Sequence, residues 1–181
     1  VQFEITSLSI IAEKNGTSVN IDHDANGSTD VTVTLNEGET YYLDSRTSST
    51  VTVNEGATIS ASQPVQVMLM TGPYNNGSKF QGRTFALTPN SQLSTCYYMP
   101  GVPNETVRVF MYNPSGSSIT VTRTTAGGST STITVPAGGS NFDDVNNSGD
   151  GYEYCSGSST FAMLATVDYN STTSDWGFVP I

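Results

Sequence analysis

Long apolar runs are missing from this 181-residue chain. None approaches the roughly 20 residues that a membrane-spanning helix needs. Basic residues are scarce: six Lys and Arg stand against sixteen Asp and Glu, a net charge of −10. Nucleic acid and anionic lipid would meet repulsion, so neither is an expected partner. Charge of either sign makes up only 12% of the chain. That is about half the usual share, which excludes a charge-solvated disordered chain. Histidine occurs once, as His23, in an acidic stretch with no nucleophile motif around it. The sequence has no G-x-S-x-G, H-E-x-x-H, C-x-x-C or phosphate-loop pattern. A protein without enzymatic activity, requiring no cofactor, is the expectation.

Hydroxyl side chains supply the polarity instead, with 26 Thr and 24 Ser beside 17 Gly and 14 Asn. That is the profile of a β-rich extracellular or cell-surface protein. The start at Val1, without Met or an apolar leader, reads as a secreted and processed product. Period-2 alternation dominates. Val31-Thr-Val33-Thr-Leu35, Val51-Thr-Val53, Val65-Gln-Val67, Val107-Arg-Val109, Ile119-Thr-Val121 and Ile133-Thr-Val135 each put apolar groups on one face. Turn residues such as Asn15-Gly16, Asn26-Gly27, Asn76-Gly77 and Gly127-Gly128 separate these runs. Short strands at such spacing predict an all-β protein of antiparallel sandwiches, Ig-like or jelly-roll-like. Met68-Leu69-Met70 and the run from Phe161 to Val167 predict central strands buried on both faces.

The chain also repeats. A shift of about 100 residues places Ile10 on Phe110, Val19 and Ile21 on Ile119 and Val121, and Gly38 on Gly138. A shift of about 95 places Met68-Leu69 on Met163-Leu164. Two tandem units follow, 1–89 and 90–181. Each is small enough to need support from a disulfide, glycan, metal or neighbour.

Several short motifs resemble the extracellular β-sandwich repeats of IgGFc-binding-type and related prokaryotic surface proteins. They are Ser62-Gln-Pro64-Val65-Gln-Val67, Val135-Pro-Ala-Gly138, the piece Ile21-Asp22-His23, and the tail from Ser174 through Trp176 to Phe178. The resemblance implies an adhesive, matrix or envelope role and supplies no catalytic residue.

Cys96 and Cys155 form an even pair in the second unit, as expected of one extracellular disulfide. Six N-x-S/T sequons, at Asn15, Asn26, Asn76, Asn104, Asn146 and Asn170, are candidate N-glycan acceptors. Asp22, Asp24, Asn26 and Asp30 match the first half of a calcium loop, with Gly27 at the sharp turn. The loop lacks the closing glutamate, because Val33 stands there, so a solvated acidic hairpin is the competing reading. Asn26 cannot serve both as glycan acceptor and as ligand. A second acidic stretch holds Asp143 and Asp144, which point apart if they lie on a strand.

Two functions fit. One is a self-assembling subunit of an extracellular filament, sheath or surface layer, with copies of itself as partner. The other is an adhesive or carbohydrate-binding module, using Tyr41-Tyr42, Tyr97-Tyr98 and Trp176. The alternation of Val1, Phe3 and Ile5 makes the N-terminal segment either the unit's own first strand or one donated to a neighbour.

Overall fold

The computed structural model describes residues 5–45, 51–72, 82–103, 105–146, 150–167 and 176–181. No α-helix occurs among them, only strands and one 3-10 turn at Asn90–Gln92. The chain divides into two compact units, 1–87 and 88–181.

The first unit contains β1 (Ile5–Ala12), β2 (Thr17–Asp22), β3 (Val31–Leu35), β4 (Thr40–Asp44), β5 (Thr58–Ala61), β6 (Val65–Gly72) and β7 (Arg83–Ala86). They form two antiparallel sheets, β4-β1-β6-β7 and β3-β2-β5. Leu8, Ile10 and Ala12 alternate inward from β1 and meet Val19 and Ile21 of β2 in one cluster with Leu35 and Leu43. The sandwich follows from that alternation, since each sheet has one greasy face to hide.

The second unit repeats the plan and adds a strand. Its elements are β8 (Cys96–Met99), β9 (Thr106–Tyr112), β10 (Ile119–Thr125), β11 (Thr130–Val135), β12 (Ser140–Asn146), β13 (Tyr152–Cys155), β14 (Ala162–Val167) and β15 (Trp176–Phe178). The sheets are β12-β9-β14-β15 and β11-β10-β13-β8. Val107, Val109 and Met111 of β9 pack with Val121, Val135, Tyr154 and Phe161, all at most 1% exposed.

The correspondence between the units differs from a uniform shift by small slips. Thr40 opposes Ile11, and Ser140 opposes Tyr112. β1 therefore matches β9 one residue beyond the hundred-residue shift, and Ile10 takes the place of Met111, not Phe110. A one-residue slip turns every side chain to the other face. Ile10 is accordingly buried while Phe110 looks outward. Ile11 opposes Gln66 and Tyr112 opposes Ala162, so Met68 matches Leu164 rather than Met163. Gly38 and Gly138 do correspond; both have positive φ, 78° and 59°, which glycine adopts without strain.

β6 also departs from expectation. It is central in its sheet, yet Met68 and Met70 are only half-buried. The sheet is covered on one face, so apolar residues in both phases do not make a doubly buried strand.

Candidate functional site

The Asp22–Asp30 loop brings three carboxylates together. Oxygens of Asp22, Asp24 and Asp30 lie within 4.8 Å of one another. Loop amides already point at them. Asp22 accepts from the N–H of Asn26 at 3.2 Å and of Gly27 at 2.8 Å. Asp30 accepts from the N–H of His23 at 2.8 Å. His23 lies 3.7 Å from Asp30, and its Nδ1 sits 2.8 Å from the carbonyl of Thr52. Gly27 and, unusually, Ala25 have positive φ, 87° and 62°. The side chain of Asn26 is committed inside the loop: Nδ2 donates to Asp24 at 2.9 Å and Oδ1 accepts from the N–H of Ser28 at 2.8 Å. A glycan would be attached through that same Nδ2. Asp22, 8% exposed, is the buried anchor.

Asp143 and Asp144 do point apart. Asp143 turns inward, where it accepts from Arg123 at 2.7 Å and from the Tyr154 hydroxyl at 3.1 Å. Burial first, and the Asp143 charge second, push the Tyr154 phenol far above its ordinary value of 10. Asp144 turns outward into a bidentate pair with Arg108, both contacts at 2.6 Å. The Arg108 hydrogen bonds hold its carboxyl below the ordinary 3.8. The two carboxylates share no cleft, so they do not make an acid–base pair.

The outer face of β12-β9-β14 is aromatic. Phe142, Phe110 and Leu164 stand in one cross-strand row. The rings of Phe110 and Phe142 are 6.4 Å apart, and the Arg108 guanidinium lies 4.2 Å over Phe142. Phe142 is 48% exposed. Sequence reading missed this row because β9 is apolar in both phases, Val107-Val109-Met111 and Phe110-Tyr112. The signal was Phe110 and Tyr112 standing in the phase that holds Thr on other strands.

At one end of the other sheet, a groove of about 580 Å³ is lined by Tyr98, Met99, Pro100, Tyr152, Glu153 and Ile181, among others. Tyr98 is 59% exposed and its hydroxyl donates to Glu153 at 2.8 Å. That bond and the Glu153 charge raise the Tyr98 phenol above its ordinary value. The carbonyl of Ile181 accepts from the N–H of Tyr98 at 2.6 Å, fixing one wall. Tyr97, by contrast, is a core residue: its ring meets Phe161 edge-on, and its hydroxyl donates to the Phe161 carbonyl at 2.6 Å.

Cys96 and Cys155 are disulfide-bonded to each other. They are directly opposed residues of β8 and β13. Asn15 lies in the exposed turn after β1, its Oδ1 accepting from the N–H of Glu37 at 3.0 Å. Asn146 ends β12. Asn76, Asn104, Asn170, Val1 and Phe3 lie outside the described residues. Ile5 opens β1 opposite Gly72 of the same unit.

Comparison with known proteins decides the family. A family model described as "IgGFc binding protein" matches residues 2–174, nearly the whole chain. The chain belongs to the IgGFc-binding family. No curated protein and no solved structure matches it. This is a family of extracellular surface and binding proteins, not of enzymes. The disulfide fits that setting. Among the described residues no helix is long and apolar enough to cross a membrane.

Proposed function

We propose that this member of the IgGFc-binding family is a structural subunit of an extracellular filament, sheath or surface layer, and that it holds to copies of itself through its sheets. The observation that carries the reading is the outward row of Phe110, Phe142 and Leu164 with Arg108. A sheet face that exposes Phe142 beside a half-buried Phe110 and an arginine has the composition of an interface core. In a chain with only 12% charged residues, few neighbours offset that exposure. Sedimentation velocity across a concentration series, with negative-stain imaging of native material, tests the proposal. Ordered assemblies are expected, and Phe142→Asp is expected to weaken association at least about tenfold. Monodisperse monomer at every concentration refutes it.

The exposed turn at Asn15 supports a glycan on this surface subunit, read out as added mass on the peptide that carries it. The Asp22–Asp30 loop supports calcium as an ordering ion rather than a reagent.

The groove beside Tyr98 favours a second reading, an adhesive module for carbohydrate. Its exposed ring offers a stacking surface and Glu153 an acceptor for sugar hydroxyls. Glycan-array binding that Tyr98→Ala abolishes, in a protein that stays monomeric, selects this reading over the first.

A further inference from the structure

Two Asn-Gly dipeptides lie among the described residues, Asn15-Gly16 and Asn26-Gly27. In such a pair the glycine nitrogen can attack the asparagine side-chain carbon and close a five-membered ring. Glycine has no Cβ to hinder that approach. The two turns are closely matched. Both asparagines are exposed. Gly16 and Gly27 have φ of 70° and 87°. A Cβ added at either would meet nothing within 4 Å. In each, the side-chain Oδ1 accepts a backbone N–H: that of Glu37 at 3.0 Å for Asn15, and that of Ser28 at 2.8 Å for Asn26.

They differ in what faces the reacting nitrogens. The N–H of Gly27 donates to Oδ2 of Asp22 at 2.8 Å. Asp22 is 8% exposed and is held from its other oxygen, where Oδ1 accepts from the N–H of Asn26 at 3.2 Å. The Asn26 Nδ2 donates to Asp24 at 2.9 Å, which fixes the plane of the amide. Among the described residues no carboxylate accepts from the Gly16 N–H or from the Asn15 amide. Asn26 alone therefore combines a base on the attacking N–H with a donor on the oxygen where charge develops. Those are the two aids that acyl transfer needs.

We propose that Asn26-Gly27 is a self-modification site, at which the folded loop converts Asn26 to aspartate or isoaspartate with Asp22 as general base. The Gly27 nitrogen bonds to Cγ of Asn26 while its proton passes to Asp22. The Cγ–Nδ2 bond then breaks, and Nδ2 leaves as ammonia with that proton. One water opens the resulting succinimide at either of its two carbonyls. An amide that donates to Asp24 is thereby replaced by a carboxylate that repels it, and the loop gains a negative charge. The N-x-S/T acceptor at Asn26 is erased in the same step. Glycosylation and conversion compete for one nitrogen, so whichever comes first excludes the other. The inference stands apart from self-association, because each chain acts on itself.

Asn15 serves as the internal control. The full chain, produced without glycans, is aged in calcium-free buffer made with heavy-oxygen water. Tandem mass spectrometry then assigns the ammonia lost and the oxygen gained to each asparagine. Asn26 is expected to convert at least about tenfold faster than Asn15, a conservative share of what a positioned base contributes. In urea the loop is lost, so the two sites should convert at similar rates, and Asn26 more slowly than in the folded chain. Asp22→Asn keeps an acceptor oxygen but removes the base. It should bring Asn26 down to the rate of Asn15 and leave Asn15 unchanged. The proposal is overturned if Asn26 is no faster than Asn15 in the folded wild type, or no faster folded than unfolded. It is also overturned if a folded Asp22→Asn variant converts Asn26 at the wild-type rate. The first two readouts need only the wild type, so a variant that misfolds does not shelter the proposal.

Discussion

The two units share a strand plan and close their cores by different means. The second has an eighth strand, a disulfide stapling that strand down, and a half-buried Arg123–Asp143 pair on the buried Tyr154. Among its described residues the first shows no counterpart to these and carries an acidic loop instead. The cost appears in the core. Ile59, Val67 and Leu69 of the first unit stay half-buried, whereas Tyr154, Met163 and Ala165 at matching places are 0–2% exposed. A sandwich of some ninety residues buries little surface per residue, so one added edge strand moves several side chains from partial to full burial. The comparison teaches that the staple and the strand act together: the disulfide joins β8 to β13 at directly opposed residues.

The largest effect should come from removing the staple. Reduction, or Cys155→Ser, is expected to cost the second unit about 4 kcal/mol, the chain-entropy value for a loop of this length. Hydrogen exchange read by mass spectrometry should show protection lost across 88–181 and retained across 1–87. Equal loss in both units would mean that they are not independent in the way the contact pattern implies.

Asn113 gives the next largest. It is fully buried, and its Nδ2 donates to the carbonyls of Ser117 at 2.8 Å, Pro136 at 3.0 Å and Val135 at 3.3 Å. Its Oδ1 accepts from the N–H and hydroxyl of Ser115. The first unit has Ala12 at the matching place, with the N–H bonded to Glu39 as that of Asn113 is to Gly139. Asn113→Ala makes the second unit resemble the first and is expected to cost about 2–3 kcal/mol by denaturant titration, since it strands several buried carbonyls.

Alkali should separate the units in a graded way. The folded Tyr154 phenol titrates well above 10, so its contribution is fully present below pH 10. As pH rises past 10 the unfolded chain releases the proton and the folded chain does not, and stability falls by up to about 1.4 kcal/mol per pH unit. Tyr154→Phe should remove that increment from the slope, measured as the difference between variant and wild-type melting curves from pH 9 to 11.

Calcium should act on the first unit alone, and least. At millimolar concentration an extracellular-type site contributes about 1 kcal/mol. Addition should raise the melting temperature of the first unit by a few degrees, and Asp24→Asn should abolish the rise. No response from the wild type would leave the loop as a hairpin held by its own amides.

What could be read from the sequence, and what could not, divides by range. Alternation at Val31–Leu35, the Asn-Gly turns and the outward–inward split of Asp143 and Asp144 are local consequences of backbone geometry, and local reasoning reaches them. Sidedness is not local. Ile10 aligned with Phe110 in the sequence because both strands are apolar there, but which phase of β9 faces inward is set by β10 and β14, residues far along the chain. β6 misled in the same way: Met68 and Met70 suit a covered face, and only the sheet packing reveals that one face stays open. Asn113 belongs to no motif, and its role depends on three carbonyls gathered from two separate turns. The groove beside Tyr98 needed Ile181, which no motif connects to it.

The opposed cysteines also govern how the chain would behave under mechanical load. A pull applied to the two ends passes from Cys96 to Cys155 through the bond, so of the second unit only the stretches outside that loop, 88–95 and 156–181, carry the load in series. The segment inside the loop, with a sequence separation of 59, is shielded from force. At about 3.3–3.6 Å per residue it represents roughly 200 Å of hidden length that shear cannot pay out. The first unit has no such shunt, since both cysteines lie in the second, so its whole length would pay out under the same load.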